Sequence, residues 1–399
     1  MSSIVRTSSA WVKYNNRVLN FKEDTNPLGL PPYTMRFQFD KPDYNPNPGN
    51  PDIGHPGVTY VGTWTRVSSS PNIWDFTYAD TNWGRGTNLE NVDVFEYQKS
   101  MSWWLYYSPS RNKLTWYGYA DIVPWVHLLG ANTSGITNMS HLFDQPANGS
   151  GPCVGFADIC LFDTSSVTNL EGAFSGLKYI QKLPMYDTHS ATTLRSAFAA
   201  LLHVTHPVMF DLASCTNAQN IFVASSIPSV KLVNTDKVTD FSNAFYECAN
   251  LTSVNLFDTR ATVNMNGMFC RCSSITSVPK YDTRNVTDMS GMFNGCTNLT
   301  TIPLFNTSKV TDFSDMAKNC TSISSVPLFD TSMAERMSRM FSGCTAVTGG
   351  ALALYQQAST QSNVPQYHSG AFSNCGANTT TGQTELAQIP SDWGGTMQE

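Results

Sequence analysis

Charge is scarce in this chain, and several kinds of segment are missing from it. Asp, Glu, Lys and Arg make up 14% of its 399 residues, and the formal net charge is −6. No long basic run occurs, which argues against binding nucleic acid by neutralising phosphates. No stretch approaches the roughly 20 apolar residues that a membrane-spanning helix needs, so membrane insertion is not expected. The N-terminus, Met1 to Tyr14, has no basic segment followed by an apolar one. It is therefore not a signal peptide of the usual kind, and a complete chain of this sequence would not be exported by that route. Also missing are the Gly-x-Ser-x-Gly elbow, the phosphate-binding loop and His-Glu-x-x-His. Acidic residues are present, but nothing in the sequence pairs two of them across a cleft as glycoside hydrolysis requires. The expectation is a protein that is not an enzyme and has no cofactor.

Disorder is excluded by the other side of the composition, since 41% of residues are hydrophobic. The most informative feature is a unit of about 24 residues that recurs through the second half. Phe174, Phe198, Phe222, Phe245, Phe269, Phe293 and Phe341 mark successive copies, with Ala317 in one slot, at steps of 24, 24, 23, 24, 24, 24 and 24. Adding Phe143 and Phe372, each 31 residues from its neighbour, gives about ten turns of a solenoid. A solenoid offers surface rather than a deep pocket, so binding and assembly are the functions to seek.

Cysteines fall in phase with the repeat. Cys248, Cys272, Cys296, Cys320 and Cys344 lie three residues after the marker, and Cys375 keeps that relation to Phe372. One small residue per turn reads as a buried structural column of reduced thiols, suited to a reducing compartment. Zinc at Cys270-Arg-Cys272 is a weaker alternative because the spacing is too tight for a knuckle. Asp163, Asp187, Asp258, Asp282, Asn306 and Asp330 recur before a turn, where Asp and Asn bond local amides; calcium between turns is the weaker alternative. His203 and His206 have two-ligand spacing without an evident third ligand.

A second column is aromatic: Phe162, Tyr186, Phe210, Phe257, Tyr281, Phe305 and Phe329. Strict strand alternation after Ile302 and Leu304 would turn it outward, making Phe257, Tyr281, Phe305 and Phe329 the candidate binding face for sugar rings or protein. The other reading is core packing. It is favoured by Lys280, which sits in the supposedly inward column while the aromatic column carries no charge.

The fold expected is mainly β with short helices. Residues 1–130 read as a Trp-rich antiparallel β domain for attachment or oligomerisation, with eight of the nine tryptophans, a hairpin at Asn15-Asn16 and another across residues 109–112. Asp40 to Gly57 carries five prolines and reads as an irregular loop. Residues 131–348 form the leucine-rich-repeat solenoid, with a loop insertion over residues 145–154. Residues 349–399 hold the last repeat, an inserted helix at 351–358 and a C-terminal cap.

The repeated phrase Leu-Phe-Asp-Thr-Ser-x-Val-Thr-x-Met-x-x-Met-Phe-x-x-Cys-x-x-Leu-Thr-x-Val-Pro, best kept from Phe241 to Thr348, resembles the BspA-like leucine-rich repeats of bacterial surface proteins. Gly62 to Tyr78 with Ile159 to Thr168 looks like a subgroup found in gut Bacteroides and in their phages, crAss-like phages among them. The resemblance implies a structural virion protein, a head-fibre or tail-fibre component. Its N-terminal domain would bind other capsid or tail proteins, and its solenoid would bind a glycan or protein of the host surface. A homo-oligomer, trimer or dimer, is expected. The alternative is a bacterial cell-surface adhesin, from whose secreted relatives this chain departs by its N-terminus.

Overall fold

The computed structural model describes residues 11–14, 17–20, 25–31, 34–39, 62–78, 103–108, 113–118, 126–133, 135–140, 142–143 and 156–397. Two antiparallel hairpins lie early in the chain: β1 (Trp11–Tyr14) with β2 (Arg17–Asn20), and β6 (Trp103–Ser108) with β7 (Lys113–Gly118). Both flank the turn positions expected from the sequence. The proline-rich segment, the insertion at 145–154 and the side chains of Trp11, Trp64, Trp74, Trp83, Trp103, Trp104, Trp116 and Trp125 lie outside the described residues.

A five-stranded sheet has the order β4-β5-β3-β8-β9. It is built from β3 (Thr34–Phe39), β4 (Gly62–Ser69), β5 (Asn72–Tyr78), β8 (Val126–Ala131) and β9 (Phe156–Ile159). The alternation of β3 buries Met35 and Phe37 and leaves Arg36 half-buried, bonded through Nε to Asp75 Oδ1 on β5 at 2.7 Å. Strand β8 pairs antiparallel with β3 on one side and parallel with β9 on the other. Met35, Phe37 and Leu128 accordingly share one apolar core with the repeats that follow.

Beyond β8 the repeats lie one above the next. Parallel bridges join Asn138 to Asn169 and run on through Thr193, Asn217, Asp240, Asn264, Asp288, Asp312 and Arg336 to Tyr367. Formal strands are few and short: β10 (Val208–Asp211), β11 (Ser229–Val233) and β12 (Ser253–Val254), in parallel register. At the marker, amides reach into the next copy: Phe245 N–H to Met268 O at 2.9 Å, Phe269 to Met292 at 2.8 Å and Phe293 to Met316 at 2.7 Å. The rings stack with them. Phe245 and Phe269 are 5.3 Å apart at 8°, and Phe269 and Phe293 are 5.8 Å apart at 2°. Offset stacking of this kind is favourable beyond the area it buries. Two residues before each marker the backbone is left-handed, with φ between 51° and 61° from Ser196 to Arg339. Asn and Gly tolerate that conformation best, and Asn220, Asn243, Gly267 and Gly291 take four of those positions.

The turn after the aromatic column is tied by a second ladder. Thr164 Oγ donates to Asp187 O, Thr259 to Asp282 O and Thr283 to Asn306 O, each at 2.7 Å, and Thr307 to Asp330 O at 2.9 Å. These threonines are buried. Thr283→Val keeps the shape but leaves the Asn306 carbonyl without its donor, and should cost about 1–3 kcal/mol. Urea denaturation of this variant beside Thr283→Ser, which keeps the hydroxyl, checks the assignment. Equal stability of Thr283→Val and the parent protein would remove the ladder from the forces holding the stack.

At the far end, helix α1 (Ala351–Thr360) interrupts the last repeat and closes this ladder. Gln357 Nε2 donates to Phe329 O at 2.6 Å, Gln361 Nε2 to Thr331 O at 2.7 Å, and Thr331 Oγ1 to Gln361 Oε1 at 3.1 Å. Side-chain amides thus replace the neighbour that a further repeat would supply. Helix α2 (Thr380–Leu386) and a 3-10 turn at Ser391–Trp393 cover the remaining end. There Phe372 N–H donates to Trp393 O at 2.9 Å, and His368 lies flat on the Trp393 ring. Among the described residues no helix is long and apolar enough to cross a membrane.

Candidate functional site

The aromatic column is core. Phe257, Tyr281, Phe305 and Phe329 are all buried, and Phe257 packs on Tyr281 at 4.9 Å. They cannot form the outward binding face that strict alternation gives them. Alternation fails in each of these copies, whether proline or, as at Asn255 between Val254 and Leu256, another residue follows the inward aliphatic. Ile302 is 6% exposed, Leu304 53% and Phe305 4%, with Pro303 between the first two. A proline lacks the amide that would continue a ladder, and the chain takes one extra residue to turn the ring inward. The ring wins the inner place because it removes more apolar area from water than a leucine does.

The surface row is therefore the neighbouring column over part of the stack, since its members Met209 and Leu232 are half-buried and buried. Met185, Leu256, Leu304 and Leu328 are exposed, Leu256 by 64%, and Lys280 occupies the same position one copy before Leu304. Three residues earlier in each copy stands a row of exposed hydroxyls, Ser253, Ser277, Thr301 and Ser325, whose side chains have no partner among the described residues. The lone lysine in a leucine column was the sequence signal for this face. The hydroxyl row was missed because Ser and Thr recur at many phases of the repeat.

Charge is distributed unevenly across the repeats. The segments 178–185, 202–209, 226–232, 249–256, 273–280, 297–304 and 321–328 carry no Asp or Glu, yet they hold Lys178, Lys182, His203, His206, Lys231 and Lys280. The carboxylates of the following turn are engaged locally. Asp258 accepts from Arg260 Nε at 2.7 Å and Asp282 from Arg284 Nε at 2.9 Å. Those side-chain hydrogen bonds hold both carboxyls below their ordinary range. His203 and His206 face backbone carbonyls of Lys178 and Gln181 across the repeat interface. Among the described residues no three His, Cys, Asp or Glu converge to hold a metal ion.

One turn carries a hydrogen-bonded relay that sequence reading passed over. Asp187 Oδ1 lies 2.6 Å from His189 Nδ1, and His189 Nε2 lies 2.9 Å from Ser190 Oγ. The connectivity is that of a nucleophile and its base. Sister turns show its ordinary role. Asp163 binds Ser165 N–H and Oγ in the same way, and Asp258 binds Arg260. His189 fills the position that Ser165 and Arg260 take in those copies, closing the turn.

The cysteine column is buried as expected from its phase. Cys248 Sγ donates to Phe222 O, Cys272 to Phe245 O, Cys296 to Phe269 O, Cys320 to Phe293 O and Cys344 to Ala317 O, each at 3.0 Å. Each thiol thus caps the marker carbonyl of the preceding copy. Burial pushes the thiols of Cys248 and Cys375 up to about 12, and those of Cys272, Cys296, Cys320 and Cys344 well above the ordinary value. Such thiols are structural and not reactive.

Comparison with known proteins bears on the same region. Residues 126–232, 223–323 and 264–373 match a family described as "Mycoplasma protein of unknown function, DUF285". The first match begins where β8 begins. Among solved structures, a leucine-rich repeat protein from Eubacterium ventriosum ATCC 27560 is similar over 66% of this chain and 90% of that chain. Its identity is 13% and its TM-score 0.23, too loose a superposition to support an argument. No curated protein matches.

Proposed function

The chain belongs to this DUF285 repeat family, whose matches span more than half of its length, and from that premise we propose that it is a displayed binding protein, not an enzyme. In this reading the stacked repeats form a leucine-rich-repeat solenoid of about ten turns. It projects from a phage particle as a head-fibre or tail-fibre component and engages the surface of the bacterial host. The N-terminal β region supplies the contacts to other virion proteins and to further copies of the chain. The observation that carries the reading is the exposed row Leu256, Leu304 and Leu328, which with Lys280 fills four successive copies beside the hydroxyls of Ser253, Ser277, Thr301 and Ser325. Apolar side chains held outward in register have no use in the core, and grouped apolar surface marks interaction sites. The buried thiols suit assembly in a reducing cytoplasm, which favours the virion over the alternative of a bacterial cell-surface adhesin.

The test is adsorption of the labelled chain to intact Bacteroides cells. Saturable binding should fall at least tenfold when Leu256, Leu304 and Leu328 are all changed to Ser, with the circular dichroism spectrum unchanged. A triple variant that adsorbs like the parent would reject this face. Immunogold labelling on purified particles against labelling on the cell envelope separates fibre from adhesin.

A further inference from the structure

We propose that the partner of this face is a carboxylated polysaccharide lying along the stack, across successive copies of the repeat. The inference rests on the surface-binding reading above and names the chemistry of its ligand. Three features converge on it. The first is periodicity. Copies in register lie about 4.8 Å apart, and over four successive copies each step presents one outward side chain and one exposed hydroxyl: Leu256 with Ser253, Lys280 with Ser277, Leu304 with Thr301 and Leu328 with Ser325. A linear polymer of rings can repeat the same weak contact at each step, and linked weak contacts gain affinity together. Leucine and methionine cover the C–H faces of sugar rings, while the hydroxyls exchange hydrogen bonds with sugar hydroxyls.

The second feature is charge. The face belongs to a chain of net charge −6, yet its segments contain no carboxylate. Lys280 is exposed on it and Lys182 is exposed in the hydroxyl column three copies before Ser253, and no ion pair involves them among the described residues. Lys280 replaces a leucine in the apolar row, so a negative group that meets it must belong to the same ligand that covers Leu256 and Leu304. A uronic-acid polymer carries apolar ring faces, hydroxyls and carboxylates on one backbone.

The third feature argues against an added peptide strand. The backbone under these rows is already committed between copies: Thr252 N–H to Pro228 O at 2.9 Å, Thr300 to Thr276 O at 3.1 Å and Thr348 to Ser324 O at 2.9 Å. Strand addition needs an unpaired edge, and these rows lie on the face of the ladder.

The experiment uses the full chain and three purified polymers, polygalacturonate, alginate and hyaluronate, with calorimetry or biolayer interferometry as readout. At least one should bind, and chemical reduction of its carboxyls to alcohols should weaken binding at least tenfold. Lys280→Glu and Lys182→Glu should each weaken it at least fivefold, while Lys280→Arg stays within twofold. Raising NaCl from about 20 to 300 mM should weaken it severalfold, as screened exposed charges require. Equal binding of polyglutamate or polyphosphate would overturn the proposal in favour of simple charge attraction. So would indifference to Lys280→Glu, or failure of all three polymers. Cell adsorption that persists while all three polymers fail rejects the polysaccharide and leaves the surface-binding reading standing. Failure of cells and polymers together rejects both.

Discussion

Alkali is expected to unfold this protein abruptly between about pH 9 and pH 11. Cys215, Cys248 and Cys375 are held by burial at about 12, and Cys272, Cys296, Cys320 and Cys344 well above the ordinary 9.0. Below pH 9 these thiols are protonated in both folded and unfolded chains, and their contribution to stability is fully present. Above it the unfolded chain releases protons that the folded chain keeps. Stability then falls until the folded thiols also ionise, near pH 12 for Cys215, Cys248 and Cys375 and with the other four held well above the ordinary value. Each thiol withdraws about 1.4 kcal/mol per pH unit in that window. Seven together withdraw roughly 10 kcal/mol per pH unit, comparable to the whole stability of an ordinary domain. The buried hydroxyls of Tyr186 and Tyr281 act in the same direction. Denaturant titrations at several pH values from 8 to 10.5, with thiolate absorbance followed beside circular dichroism, measure the slope. Changing Cys248 and Cys375 to Ala removes two of the seven groups and should reduce it by about 3 kcal/mol per pH unit. A protein still folded at pH 12 would show that the thiols do not couple to folding.

Phe269→Ala should be the most damaging single substitution in the stack, costing about 3–5 kcal/mol. Its ring is fully buried between Phe245 and Phe293, and Tyr281 lies 6.3 Å away. Removing it opens a cavity between near-parallel rings that backbone bonds hold one repeat apart. Because each copy contacts only its neighbours, the loss should also divide the array. The segments on either side would then melt at different denaturant concentrations, with a lower m-value for each step. A variant that loses under 1 kcal/mol, or melts in one step with an unchanged m-value, would show that the rings do not transmit cooperativity. Ala317 occupies the same slot naturally and is fully buried. Met316, beside it in sequence, and Met340, whose carbonyl accepts from the Ala317 amide at 2.8 Å, are both buried, and thioether chains adapt to irregular gaps. Position 269 has Met268 and Met292, both buried, at the corresponding places.

Much of this architecture can be read from the phase of a few residues. One cysteine every 24 residues, three after the marker, admits little but a buried column, and that is where the six lie. Aspartates before a turn predicted local amide bonding, and Asp163, Asp258 and Asp330 make it. The candidate surface was harder to see. Period-two reasoning assumes a continuous strand, whereas these copies shift the inward position by one residue, at Pro279, Pro303 and Pro327 and equally at Asn255. Lys280 recorded the correct phase, since a lysine at an inward position would be desolvated without a partner. The role of α1 was also hidden. Its sequence announces a helix, but nothing in it says that Gln357 and Gln361 would meet the unpaired carbonyls of the last ladder row.

Those two glutamines have a consequence for the length of the molecule. They contact Phe329 and Thr331 of the final copy alone, so the closure is indifferent to how many copies come before. Whole 24-residue units can be gained or lost upstream by unequal recombination, and the same terminator still fits. The number of repeats is thus free to vary in steps of one copy while this closure stays the same.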